Sequence, residues 1–311
     1  MSTRILGLGH HLPPEVDVGG VRRPIAADPV GPSTLAVEAT RGALAQAQRS
    51  TADVDFIVFA TMTPDANFPG AGCFFQDQMG CGTVGALDVR AQCAGFIFAL
   101  SIAEQFIGAG TYERVLVAGA EVHSAGLDYS AARGQVARLY GDGAGVALIG
   151  NDSGTGGIRA TAMHTDGRRH REFWCEYPSS RQHPVRMTLD DFRAGKHFPT
   201  LDVDLVRRFG EDTLPAVIGE VLAKAQMDVA DIDRFIIGHV LPDVAETTAC
   251  RLGVEAARLN VPAARYGHLT AAALPVALSE EMARGSLAAG ATVCLAACGA
   301  GFAWGAAVVT L

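Results

Sequence analysis

Ala52-Asp53-Val54-Asp55 runs into the apolar stretch Phe56–Ala60. The same wording returns as Ala230-Asp231-Ile232-Asp233, leading into Phe235-Ile236-Ile237. From Ala52 to Ala230 the offset is 178 residues. Further on, Ala99-Leu100-Ser101 opens an amphipathic stretch that ends in Val115-Leu116-Val117-Ala118. Ala277-Leu278-Ser279 opens another that ends in Val293-Cys294-Leu295-Ala296, again 178 residues later. One offset shared by two separate motifs marks an internal duplication. The expected units are residues 1–155 and 156–311. In each, a helical pattern (34–48 and 217–225) precedes a short β-rich run. Strands alternating with helices imply α/β layers. No Pro- or Ser-rich linker divides the halves, which predicts one continuous sheet system. Residues 164–200 break the repeat with Arg168, Arg169, His170, Arg171 and Trp174. They read as a solvated surface insertion or, alternatively, as a cap over a site.

Bulk properties exclude several functions. The 311 residues are 49% hydrophobic, enough for a large core. The net charge is −8 and no basic stripe is present, which argues against nucleic acid. The start, MSTRILGLGHHLPP, has neither a signal peptide nor a membrane anchor, and no apolar run is long enough to span a bilayer. Seven scattered cysteines with no secretory signal predict a reduced, cytoplasmic protein without a disulfide framework or a metal site.

One cysteine stands apart. Asp88-Val89-Arg90-Ala91-Gln92-Cys93-Ala94-Gly95-Phe96 joins the strand-like run 84–89 to a helical pattern over 94–109. Cys93 is expected at the helix N-terminus, where unpaired N–H groups and the helix dipole favour a thiolate. The candidate bases lie in the second half. His239 ends the run Arg234–Gly238, at the repeat position of Thr61. His268 lies three residues before Ala271, the repeat mate of Cys93. If the halves pack about a pseudo-twofold axis, the two helix starts meet at the centre and bring Cys93 and His268 into one pocket.

At these residues the chain resembles ketoacyl-acyl-carrier-protein synthase III and its relatives in the thiolase superfamily, as a divergent member. Asp88-Val89 with Cys93-Ala94-Gly95-Phe96 resembles the family's nucleophile motif. Tyr140-Gly141-Asp142-Gly143-Ala144-Gly145 resembles its glycine-rich motif, and Gly299-Ala300-Gly301-Phe302 with Trp304-Gly305 its C-terminal loop. The resemblance implies a five-layered α-β-α-β-α fold, a homodimer and ping-pong acyl transfer through Cys93. It implies His239 and His268 as catalytic partners, and an oxyanion hole from the N–H groups of Cys93 and Ala300. Phe68 would line the acyl pocket across the dimer interface. The substrates implied are acyl thioesters of coenzyme A or acyl-carrier protein, with no permanently bound cofactor.

The chain also departs from the pattern. Val240-Leu241-Pro242 replaces Gln-Ala-Asn after the histidine, His268 replaces an asparagine, and Ala300 a glycine. Residues 16–32 lack the tryptophan that helps hold the adenine of coenzyme A, and the basic residue expected near Asp243 is absent. No residue is therefore assigned to nucleotide binding. The expected reaction is condensation of a Cys-bound acyl group with a malonyl-type or ketoacyl thioester, in fatty-acid-like or specialised polyketide biosynthesis. The alternatives are acyl transfer to a hydroxyl or amine, and a non-catalytic partner subunit. Cys298 as a second thiolase-type cysteine reads better as core packing.

Overall fold

The structure is a computed structural model and describes residues 3–130, 134–151, 154 and 156–311. The first half runs β1 (Arg4–His11), the hairpin β2 (Glu15–Val18) and β3 (Val21–Pro24), α1 (Pro32–Ala47), β4 (Phe56–Ala60), α2 (Ala71–Met79) and β5 (Gly85–Val89). It continues with α3 (Gly95–Gly108), β6 (Arg114–Glu121), the short α4 (Gly134–Ala137) and β7 (Gly143–Gly150). The second half begins with β8 (Gly157–Thr165), β9 (Phe173–Trp174), α5 (Leu189–Arg193), β10 (Thr200–Leu201) and α6 (Val203–Ala225). It ends with β11 (Arg234–Gly238), α7 (Pro242–Arg251), β12 (Leu259–Asn260), α8 (Pro262–Tyr266), α9 (Ala273–Ala283), β13 (Thr292–Gly299) and β14 (Ala303–Thr310).

Two five-stranded sheets result, ordered β1-β7-β6-β4-β5 and β12-β11-β13-β14-β8. Read from opposite edges they have the same topology. In each, three neighbouring strands are parallel and the remaining pairings are antiparallel. The offset of 178 recurs in the folded elements: β4 and β11, α3 and α9, and β6 and β13 start at matching positions. The expectation of one continuous sheet is corrected. The halves form separate sheets, coupled by the helices they share.

The pleat of β4 and β6 decides the layers. Val58, Ala60, Val115 and Val117 face a central core with Phe96, Leu100, Leu274 and Leu278 of α3 and α9. Their neighbours Ile57, Phe59, Leu116 and Ala118 face α1 and α2. In the second sheet Leu295 and Ala297 turn to the same central core, while Cys294 and Ala296 turn to α6 and α7. The order of layers is therefore helix, sheet, paired central helices, sheet, helix. α3 is apolar nearly all round because both of its faces are covered.

Helix α6 starts at Val203, well before the expected 217, because the Asp202 carboxylate caps the Leu205 N–H at 3.0 Å. The boundary expected after residue 155 falls beside 152, 153 and 155, which lie outside the described residues. Among the described residues no helix is long and apolar enough to cross a membrane.

Candidate active site

β5, the exposed edge strand of the first sheet, ends at Asp88-Val89, and a tight turn at Gln92–Ala94 leads into α3. Asp88 points back from the end of β5. Its carboxylate accepts the N–H groups of Ala71 and Gly72 at 2.7 and 2.8 Å, which are free donors at the start of α2. A Cβ at Gly70 would overlap that carboxylate, so the small residue is a packing requirement. The acid of the motif thus fixes α2 against β5 and takes no part in the pocket.

Cys93 is buried in the central core at 1% exposure. Its Sγ lies 2.9 Å from His268 Nε2. The N–H groups of Cys93 and Ala300 both bear on the sulfur. A Cβ at Gly299 would overlap Sγ, so only glycine lets the end of β13 approach this closely. The two helix starts do meet: a Cβ added at Gly95 would sit 3.2 Å from the Ala271 side chain. Burial, with Cys298 and Glu121 nearby, pushes the Cys93 thiol far above its ordinary value, although the two N–H groups pull it back. The expectation of a resting thiolate is therefore corrected. Desolvation outweighs the helix terminus, and a neutral thiol rests against an imidazole.

Both histidines are fully buried. The backbone of His268 is clamped to the segment before β7, donating to Leu139 O at 2.6 Å and accepting from Gly141 N–H at 3.3 Å. Its Nδ1 has no partner. His239 Nδ1 lies 3.1 Å from both the N–H and the carbonyl oxygen of Leu241, which fixes the ring. Its Nε2 faces α6, where the Val206 backbone bears on the ring and a Cβ at Gly210 would come within 2.6 Å. Burial holds the pKa of His239 down at about 4 and that of His268 well below the usual imidazole value, so both are neutral near pH 7. Unpaired buried polar atoms are costly. The open Nδ1 of His268, on the ring that meets the buried thiol, suits a polar group that arrives with the substrate. No hydrogen bond links His239 to Cys93 among the described residues.

A cavity of about 450 Å³ adjoins this centre: Gln92, Ala300 and Gly301 line it, whereas Cys93, His239 and His268 lie behind its wall. Gln92, His123 and Tyr140 form part of its inner wall, and His170, Trp174 and His197 its outer wall. The last three belong to the segment 164–200, so that segment covers the cavity as well as facing solvent. Phe68 does not line the cavity of its own chain and is 82% exposed. Cys298 faces the opposite side of β13, among α6 residues, and receives the Thr213 hydroxyl at 3.5 Å. Burial pushes its thiol up to about 12.

Sequence reasoning missed Glu121 and Thr270, and read Tyr140 only as part of the glycine-rich motif. Glu121 ends the otherwise apolar run of β6, fully buried. Its carboxylate accepts the hydroxyls of Thr61 and Thr63 and the N–H groups of Met62 and Thr63. A lone acid closing an apolar strand, at the repeat position of Gly299, was the available signal.

Residues 87–167 match the family 3-Oxoacyl-[acyl-carrier-protein (ACP)] synthase III, and residues 222–311 match its C-terminal region. The chain is 35% identical to the beta-ketoacyl-[acyl-carrier-protein] synthase III of Xylella fastidiosa, over 93% of this chain and 87% of that protein. It is 36% identical to the protein of the same name from Rhodospirillum centenum, over 92% and 86%. Among solved structures, the 3-oxoacyl-[acyl-carrier-protein] synthase III of Aquifex aeolicus superposes with a TM-score of 0.89 at 26% identity, covering 99% of this chain and all of that one. The priming beta-ketosynthase of the R1128 polyketide pathway gives 0.86 at 26% identity, covering 99% and 96%.

Proposed function

Because the chain belongs to the 3-oxoacyl-[acyl-carrier-protein] synthase III family, we propose that it is a condensing enzyme that charges Cys93 with an acyl group from a thioester and joins it to a malonyl-type or ketoacyl thioester. The observation that carries this reading is the buried contact between Cys93 Sγ and His268 Nε2, flanked by the N–H groups of Cys93 and Ala300.

The first half-reaction follows from the geometry. His268 Nε2 takes the thiol proton as the sulfur attacks the thioester carbonyl, so no free thiolate need exist in the dry site. The N–H groups of Cys93 and Ala300 hold the oxyanion. Collapse of the tetrahedral species releases the donor thiol and leaves the acyl group on Cys93. A malonyl thioester then loses carbon dioxide, and its carbanion attacks the acyl-enzyme. That attack breaks the Cys93–acyl bond; because the first proton left with the donor thiol, the freed sulfur takes a new one from solvent through His268 Nε2, while His239 and the open Nδ1 of His268 bear on the second thioester carbonyl.

The donor is coenzyme A or acyl-carrier protein, and no cofactor stays bound. Residues 16–32, which include part of the hairpin β2–β3, hold no tryptophan to meet an adenine, which favours the carrier protein or a specialised donor. The assembly we propose is a homodimer in the cytoplasm, built from halves 1–155 and 156–311. β5 closes the first sheet with Gly85–Asp88 exposed and Leu87 at 39%, an edge that a second copy would cover. Phe68 would then reach the partner's acyl pocket. One observation favours a second reading, acyl transfer to a hydroxyl or amine: His268 supplies a base where the family has an amide. The intact thiol–imidazole pair argues against a non-catalytic subunit.

Intact mass after incubation with acyl-coenzyme A and acyl-carrier donors tests the proposal. An adduct on the wild type that is absent from Cys93→Ala is expected. Malonyl-carrier should then release carbon dioxide and a ketoacyl product. An adduct that persists in Cys93→Ala overturns the nucleophile. Discharge by an alcohol or amine, without carbon dioxide, establishes the second reading.

A further inference from the structure

At the inner end of the cavity a histidine with no role in the steps above is held in one tautomer. His123 follows β6 and is 5% exposed. Its Nε2 lies 3.1 Å from the Thr270 hydroxyl. That hydroxyl also bonds the Glu121 carboxylate. Every donor around Glu121 is committed to it. Thr63 Oγ1 accepts the Val122 N–H at 2.9 Å and donates to the carboxylate at 2.6 Å, and Thr61 Oγ1 accepts from Thr63 N–H and donates at 3.1 Å. Two backbone N–H groups can only donate. Burial raises the Glu121 pKa, but this ring of donors opposes it and favours Thr270 as one more donor to the carboxylate. Thr270 must then accept the Nε2–H of His123. The remaining nitrogen, Nδ1, carries a lone pair, and no protein group meets it among the described residues. Burial keeps the ring neutral, with its pKa down at about 3.

Beside it stands Tyr140, with ring centroids 4.8 Å from His123 and 5.8 Å from His268. Its phenol has no hydrogen-bond partner among the described residues, and burial raises its pKa so that it keeps its proton. The cavity wall thus carries an open imidazole nitrogen and a phenol on rings 4.8 Å apart. The outer wall is the more open end, where Arg90, His170 and Cys175 are exposed. A group bonded to Cys93 lies at the inner end, because the sulfur is buried and the leaving thiol departs through the mouth.

We infer that His123 and Tyr140 are specificity-determining residues that select a hydroxyacyl group, whose hydroxyl donates to His123 Nδ1 and accepts from Tyr140. The inference rests on Cys93 becoming acylated. An ammonium group fits less well, since the site is dry and its carboxylate is already saturated with donors. An unsubstituted chain leaves two buried polar groups unpaired, and a site built to bond a hydroxyl rejects the analogue that lacks it.

The test uses butyryl and its 2-, 3- and 4-hydroxy derivatives, each carried on coenzyme A and on acyl-carrier protein, with Cys93 acylation followed by intact mass. One hydroxybutyryl donor is expected to react at least about tenfold faster than butyryl. In His123→Leu that ratio should collapse towards one, and in Tyr140→Phe it should fall part of the way. The ratio is the readout, since a general loss of structure slows all four acyl groups together. No preference in the wild type overturns the inference without disturbing the acyl-enzyme, as does a preference that survives in His123→Leu. So does an effect of His123→Leu on discharge alone. Acylation by none of the donors overturns the acyl-enzyme reading and this inference together.

Discussion

At Gln92–Ala94 the first half makes a tight turn into α3, and at Thr270–Ala272 the second half makes the same turn into α9. Each is entered through a non-glycine residue with positive φ, 45° at Gln92 and 42° at Thr270. Each delivers a helix N-terminus to the central layer. Yet one turn carries Cys93 and the other Ala271. The surroundings have diverged in step: Thr61 and Glu121 on one side correspond to His239 and Gly299 on the other. The backbone that presents a nucleophile is therefore duplicated, whereas its chemistry is not. A helix terminus gives position and two N–H groups. The thiol, the imidazole against it and the space cleared by Gly299 make the site.

The sharpest way to break this comparison is to exchange the two positions. Cys93→Ala should lower acylation by about three orders of magnitude or more, and adding Ala271→Cys should restore none of it. Acylation at residue 271, located by peptide mass, would show that the turn alone suffices. A second change removes what replaced the site on the silent side. Glu121→Leu strands at least four donors in the core and should destabilise the fold by about 3 kcal/mol or more in urea titration. An unchanged midpoint would mean that the carboxylate contributes nothing structurally. Smaller effects come from the caps that the halves share. Gln48 and Gln226 end α1 and α6 with φ of 53° and 57°, at the same repeat position. Replacing either by glycine should stabilise by about 1 kcal/mol, equally in the two halves. The smallest effect is with pH. His239 stays neutral down to about pH 4, and burial holds His268 well below the usual imidazole value. Protonation removes the base, and the lowered values carry that loss below pH 5. Acylation rates should therefore change by no more than about twofold from pH 7.5 to 5. A limb near 6.5 would show that the imidazoles are hydrated.

Much of this was legible in the sequence. The 178-residue offset located matching strands and helices because a duplication preserves the hydrophobic spacing that each layer needs. The placement of Ala271 against the Cys93 turn followed from the same number. What escaped were properties of depth. The thiolate expected at Cys93 requires water or a charge nearby, and the sequence does not show that two sheets close over the turn. Glu121 was passed over, and Tyr140 was read only as part of the glycine-rich motif, because the role of each depends on the opposite half being folded against it. Segment 164–200 has the composition of a surface loop, and only the close approach of Trp174 and His197 to the cavity shows its second face.

The burial of Cys93 has a consequence for anyone who handles the protein. Cys73, Cys175 and Cys250 are exposed, whereas Cys93 is buried and held as a thiol. Alkylating reagents and mild oxidants will therefore mark the dispensable sulfurs first and the essential one last. Ranking the cysteines by labelling speed would place the nucleophile near the bottom. The same shielding keeps it reduced between turnovers, so that it reacts chiefly with molecules shaped to enter the cavity.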